Sequence, residues 1–334
     1  MVNEVIHLAN DNCEVTVWSL GAAVNDIRVP DRQGRLESVV LGYSCVGDRL
    51  EGRSYLGEVV GPFGNRLAGA RFALDGVEHE LEANDRGQSL HSGSDGFHRQ
   101  TWQVRDRARD RVQLALDWPD GRSGFPGPLE VELEYLLEGL TLSHRLTVRA
   151  ARPALVNPLA HPYFNLSGRL GPVGDHDLQI QAQSYLPVDD RLIPLPEAPQ
   201  PVAGTGLDLR QPRRLGQLEL ATDPQLRACG GLDHAFVLDR RPDDGPSPAA
   251  VLYHAGSGRR LVVETDYPAL QVYTGQGLDE SEIAHPPGRP GPGCGVALET
   301  EGFPDAPNRP DFPSVVVRPG QTWRRTTRWA FSVD

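Results

Sequence analysis

Side-chain alternation with a period of two, repeated between glycine and proline breaks, restricts this chain to antiparallel strands. Leu129, Val131, Leu133 and Tyr135 alternate with Glu130, Glu132 and Glu134. After Glu138-Gly139 the pattern resumes with Leu140, Leu142, Leu146 and Val148. Such a pattern gives one buried face and one acidic face in water, and the glycine between the runs marks a hairpin. Asp75-Gly76, between residues 70–74 and 77–81, is a second hairpin signal. Further strands are expected at 111–118, 177–183, 260–265 and 270–274. A last pair, 315–317 with 322–333, is expected around Pro319-Gly320. The 36 Gly and 29 Pro among 334 residues disfavour long helices, and no amphipathic run exceeds three turns. The expected class is all-β, a large antiparallel β-sandwich. Residues 194–201 and 241–248 are expected to be surface loops. Neither separates regions of different composition, so 1–334 is expected to be a single domain.

Charge and residue inventory exclude several functions. The net charge is -12, which argues against a nucleic-acid partner. All 33 basic residues are arginine. Without lysine there is no Schiff base, no lysine-bound pyridoxal phosphate and no P-loop lysine. No G-x-G-x-x-G follows a strand, so a dinucleotide site is not supported. Arginine stays charged, so proton transfer falls to His, Asp, Glu, Tyr or Cys. Cys13, Cys45, Cys229 and Cys294 form no C-x-x-C pair and read as four reduced, mostly buried thiols. The N-terminus carries Glu4 where a signal peptide needs positive charge, and no run of 18 apolar residues exists. A cytoplasmic protein without membrane contact is the expectation.

The candidate chemistry starts at Glu299, which ends the apolar run Gly295-Val296-Ala297-Leu298 before a turn-rich segment. A carboxylate at a buried strand exit is either an ion-pair partner for an arginine or a general base with a raised pKa. His91 is flanked by small residues in Gln88-Ser89-Leu90-His91-Ser92-Gly93. His161 precedes Pro162, which biases it toward extended backbone. His234 follows Asp233, and on a strand the two would face opposite ways. Each histidine is either a structural hydrogen-bonder or a proton carrier. A metal held by His91, His161, Asp233 and Glu299 is a rival use, although no H-x-H or H-x-x-x-H spacing supports it. Asn65-Arg66 is a further candidate, its guanidinium suited to hydroxyls or carboxylates. Phe63, Phe97, Tyr163 and Phe303 either pack the core or stack on a ligand.

Taken together, these segments resemble the aldose 1-epimerase (galactose mutarotase) family. Gly61 to Phe72 resembles that family's asparagine-arginine segment, and Gln88 to Trp102 its S-L-H-G-G block. Asn157 to Gly168 is similar to N-H-x-Y-F-N-L-x-G, Gly231 to Leu238 to G-x-D-H-x-F, and Gly295 to Asn308 to L-E-T-Q with P-D-A-x-N. The resemblance runs in order from about residue 15 to the C-terminus. It implies the galactose mutarotase-like supersandwich with an open sugar cleft. It also implies interconversion of the α and β anomers of a free aldose, such as galactose or glucose, without cofactor or metal. Glu299 would take the proton from the anomeric hydroxyl, His161 would protonate the ring oxygen, and His91 would assist there. Arg66 and Asp233 would hold sugar hydroxyls, with Asn65 supporting Arg66. The partner would be a monosaccharide and the protein a monomer or homodimer.

Four positions depart from the family pattern. Ser92 replaces a glycine, Ala160 an asparagine, Pro62 an arginine and Glu301 a glutamine. If the strand runs on through Thr300, Glu301 shares the face of Glu299. A second carboxylate there is expected to raise the pKa of the first and displace the activity profile upward relative to Glu301→Gln. The rival readings are a sugar-phosphate epimerase on the same fold, a glycoside hydrolase using Glu299 and Asp233, and a non-catalytic sugar-binding module.

Overall fold

The hairpin with the clearest alternation forms as expected. In the computed structural model, strand Leu129–Glu138 pairs with Thr141–Ala150 in the register Leu133↔Leu146 and Glu138↔Thr141. Gly139 supplies the left-handed turn at φ +57. The structure describes residues 2–218, 220, 222–239, 245–279, 284–285 and 288–334. Asp75 and Gly76 form the second hairpin, both with positive φ, between Arg71–Leu74 and Val77–Glu80.

Among the described residues, three larger antiparallel sheets dominate. A nine-stranded sheet runs Gln103–Arg107, Arg111–Trp118, Leu129–Glu138, Thr141–Ala150, Thr322–Val333, Arg259–Thr265, Ser247–His254, His176–Ile180, Arg213–Arg214. A six-stranded sheet runs Tyr163–Phe164, Val296–Glu301, Ala269–Tyr273, Asp233–Leu238, Ala182–Leu186, Gln200–Pro201. A four-stranded sheet, Val5–Ala9 to Leu36–Ser38, packs beside them. The only described α-helices, Val46–Glu51 and Pro224–Cys229, have six residues each. Among the described residues, no helix is long and apolar enough to cross a membrane.

The core lies between sheets. Leu133, Leu146 and Val148 of the nine-stranded sheet join Phe236, Val272 and Leu298 of the six-stranded sheet in one buried cluster. Fully burying such side chains stabilises the fold by about 1.5–3 kcal/mol each relative to exposure. Phe97 packs in this core, and Phe63 and Phe303 in a second cluster, so these three aromatics are structural.

Several expectations change. The segment 177–183 is not one strand: His176–Ile180 belongs to the nine-stranded sheet and Ala182–Leu186 to the six-stranded one. The chain changes sheets at Gln181, which donates its N–H to Ala249 O. Val316–Val317 does not pair with Thr322–Val333 but with Ala154–Leu155. The reason is that Thr322–Val333 has both ladder edges occupied, by Thr141–Ala150 and by Arg259–Thr265. Gln200–Pro201 is an edge strand within the expected 194–201 loop. Of 241–248, residues 241–244 lie outside the described residues, and 247–248 open the strand Ser247–His254. All four cysteines are free, but only Cys13 and Cys294 are buried. Cys45 is exposed because its Sγ caps helix Val46–Glu51, accepting from Asp48 N at 3.5 Å.

Candidate active site

Strand register places the site. In the six-stranded sheet Gln271 pairs with Glu299, and Asp233 with Tyr273. Alternation sends Glu299, Gln271, Asp233 and Tyr273 to one face. Leu298, Val272 and His234 go to the other, where they are buried. His234 is therefore structural, its Nε2 meeting Gln225 Oε1 at 3.1 Å. The expected opposition of Asp233 and His234 holds.

Three loops complete the site above this face. Arg66–Leu67 pairs with Ser89–Leu90, which brings Asn65 beside His91. The Asn65 N–H donates to His91 Nδ1 at 3.0 Å. Both residues have left-handed backbone, at φ +62 and +53. Ser92, at φ +66, uses its hydroxyl twice: Oγ accepts from Phe63 N and donates to Phe63 O, each at 2.9 Å. That serine ties the His91 loop to the Asn65 loop. Leu159–Ala160 pairs with Val59–Val60 and delivers His161, whose N–H donates to Glu58 O at 2.9 Å.

The result is a cleft of about 320 Å³, at the small end for ligand sites. Asn65, Arg66, His91, His161, Asp233 and Glu299 all line it, so every expected site residue converges. His161 Nε2 is 3.4 Å from Glu299 Oε2. Arg66 Nε donates to Asp85 at 2.8 Å, and its NH1 lies 3.9 Å from Asp233. Gln271 Nε2 donates to Asp233 Oδ1 at 2.5 Å. Tyr163 also lines the cleft, its ring 4.9 Å from that of His161.

Sequence reading missed Gln271, Tyr55 and Asp85. Gln271 was legible only as a polar residue in an otherwise apolar strand, since its meeting with Asp233 depends on cross-strand register. Tyr55 lies in no motif, yet its ring sits 4.7 Å from His91, 5.0 Å from His98 and 6.0 Å from His161. Asp85 lies in a turn whose direction the sequence did not reveal.

Burial dominates the electrostatics. It pushes Glu299 well above the usual carboxylate range; Asp233 adds to the rise and Arg66 opposes it. Burial pulls His161 down to about 4, and His91 well below its ordinary value with His161 and Arg66 adding. Asp233 is raised by burial and held back by Arg66 and Gln271. Glu301 shares the buried face of Glu299, as expected, but the charge effect runs the other way. Burial and the charge of Glu299 raise Glu301, whereas Glu299 responds to Asp233.

Ligand atoms of His91, His161 and Glu299 fall within 4.8 Å of one another, a spacing that a metal would accept. The His91 tautomer argues against it. An N–H can only donate, so Nδ1 of His91 carries the lone pair and Nε2 of the neutral ring carries the proton. Ligation needs a free lone pair, with the other nitrogen donating. The trio thus offers two ligands, His161 and Glu299, and a hydrogen-bond donor.

The family model described as Aldose 1-epimerase matches residues 4–330. The chain belongs to the aldose 1-epimerase family. Galactose mutarotase of Sus scrofa is 38% identical over 331 residues, covering 99% of this chain and 94% of the relative. The structure of galactose 1-epimerase from Lactobacillus acidophilus NCFM aligns with a TM-score of 0.86 at 30% identity, over 98% of this chain and 94% of that one. The GalM/aldose epimerase homologue from C. elegans aligns with a TM-score of 0.91 over 99% of both chains. At 24% identity that likeness speaks for the fold alone. Within this aldose 1-epimerase chain, Ser92 takes the place of the usual glycine without disturbing the loop, because Phe63 satisfies its hydroxyl.

Proposed function

We propose that this protein is a cofactor-independent aldose 1-epimerase acting on a free monosaccharide such as galactose or glucose. The observation that carries the reading is the buried His161–Glu299 pair at 3.4 Å in a monosaccharide-sized cleft. Opening the ring removes a proton from the anomeric hydroxyl and adds one to the ring oxygen. Glu299 takes the first and His161 supplies the second. The pair passes from carboxylate plus imidazolium to carboxylic acid plus imidazole.

Burial sets where the proton of the pair rests. A water-poor site disfavours separated charges, which raises the proton affinity of Glu299 and lowers that of His161. The same shifts make carboxylic acid plus imidazole the favoured resting form, so ring opening starts from the minor carboxylate–imidazolium arrangement of the coupled pair and returns it to the neutral form. The aldehyde then turns about C1–C2, and closure on its other face returns both protons. His91, with its proton on Nε2, donates to the ring oxygen beside His161. Arg66 and Asp233 hold sugar hydroxyls, with Asp85 and Gln271 aligning them and Asn65 supporting Arg66. Arg66 is divided between two carboxylates, which suits neutral hydroxyls better than a phosphate. Residues 1–334 act as one catalytic unit in this reading, since site residues run from 65 to 299.

Polarimetry on freshly dissolved α-galactose and α-glucose tests the proposal. The purified protein should speed the approach to anomeric equilibrium. No acceleration for any aldose would refute it.

A further inference from the structure

Glu301 has no part in the acid–base reading, yet it is fully buried two residues beyond Glu299. Its Oε1 accepts a hydrogen bond from Asn65 Nδ2 at 3.0 Å, and its Oε2 meets no hydrogen-bond partner among the described residues. The orientation of the Asn65 amide is fixed independently. Its Oδ1 accepts the Arg66 N–H at 2.8 Å, so the NH₂ must be the end facing Glu301. The Asn65 backbone N–H is the group that sets the His91 tautomer. One carboxyl, through one asparagine, therefore reaches both Arg66 and His91.

The groups facing Glu301 decide its state. They are Glu299 on its own strand, Asp233 two strands away in the same sheet, Arg66, and the hydroxyl of Tyr267. Arg66 is already engaged with Asp85 and Asp233. A carboxylate at 301 would add a buried negative charge beside two others with no cation of its own among the described residues; a carboxylic acid would not. What the site requires at 301 is an acceptor oxygen aimed at Asn65.

We infer that Glu301 is a positioning residue, a neutral carboxyl that fixes Asn65 and, through it, the cleft-facing conformations of Arg66 and His91. The inference rests on the epimerase reading above. An amide offers the same acceptor oxygen, whereas an aliphatic side chain does not.

Polarimetry on Glu301→Gln and Glu301→Leu, with folding checked by near-UV circular dichroism, tests this. Glu301→Leu should lose at least about tenfold in kcat/KM, and Glu301→Gln should recover most of that loss. The wild type should lose activity at a lower alkaline pH than Glu301→Gln, because only the carboxyl can ionise beside Glu299. Asn65→Gly keeps the left-handed backbone and removes the same link without altering the strand, so it serves if Glu301→Leu does not fold. It should reproduce the loss, and adding Glu301→Leu to it should change kcat/KM by less than about threefold. Full activity in Glu301→Leu or Asn65→Gly, equal impairment of the Gln and Leu variants, or additive losses would overturn the proposal. Failure of the epimerase reading would show differently, as wild-type inactivity. In that case ¹⁵N histidine spectra test the link alone: His91 should hold its Nε2–H tautomer in the wild type and Glu301→Gln and populate both tautomers in Glu301→Leu, and an unchanged tautomer in Glu301→Leu would overturn the link.

Discussion

His161 Nε2 faces Glu299 Oε2 across 3.4 Å, with the two side chains only 5% and 3% exposed. Neither Glu299 Oε2 nor His161 Nδ1 has a hydrogen-bond partner among the described residues. The Glu299 carboxyl lines the cleft, so this oxygen is an acceptor positioned for the proton of a reactant. Glu299→Gln and His161→Asn should each lower kcat about 10²–10⁴-fold in polarimetry. The double variant should be little worse than the poorer single one, because the two act as a unit. Strictly additive losses would mean separate tasks.

The pH profile should be wide on its acid side. Burial lowers His161 to about 4 and raises Glu299, so between those limits the coupled pair holds a single proton. Below the lower limit it holds two and cannot accept the anomeric proton. The plateau of kcat/KM should therefore continue below pH 6.5 and fall only as the pH approaches about 4. An acid limb centred at the ordinary histidine value would show that the site is wetter than its geometry indicates.

Arg66 serves two carboxylates through a planar fork, and lysine cannot reproduce that arrangement. Arg66→Lys should reduce kcat/KM about 10–100-fold, chiefly by raising KM. Asp233→Asn should keep the Gln271 contact yet raise KM as well. Initial-rate measurements over a range of aldose concentrations separate these effects; a pure kcat loss would place Arg66 in the chemistry instead.

His144 gives a prediction about stability. It is buried in the nine-stranded sheet, 4.8 Å from the Trp329 ring, with no hydrogen-bond partner for either ring nitrogen among the described residues. Burial lowers it from 6.5 to about 3. The unfolded chain binds this proton more readily, so stability is lost as pH falls from 6.5 toward 3, at up to about 1.4 kcal/mol per pH unit. His144→Phe should remove that slope and raise the melting temperature at pH 4.5 more than at pH 8. Equal gains at both values would point to packing alone.

How much was legible in advance follows from the range of each signal. The hairpin at 129–150 was readable because alternation and turn chemistry are local. Glu299, His161, His91, Arg66, Asn65 and Asp233 were found because each sits in a compact block whose resemblance survives without structure. Gln271 was not, since its place beside Asp233 depends on register between strands far apart in sequence. Neither was the pairing of Val316–Val317 with Ala154–Leu155, which sheet occupancy decides. The sharing of a face by Glu299 and Glu301 followed from strand period, but the direction of their coupling depended on Asn65 and Asp233, which the period does not locate.

The placement of Thr322–Val333 between Thr141–Ala150 and Arg259–Thr265 bears on synthesis. Both neighbours leave the ribosome before the strand that joins them. Until it arrives, each presents a bare row of amides and carbonyls, the kind of edge that recruits other chains. The two halves of the nine-stranded sheet must wait for it. A polypeptide stopped before residue 322 would keep every residue of the cleft and still lack the seam between them, so insolubility, rather than a damaged site, is the failure to expect from truncation there.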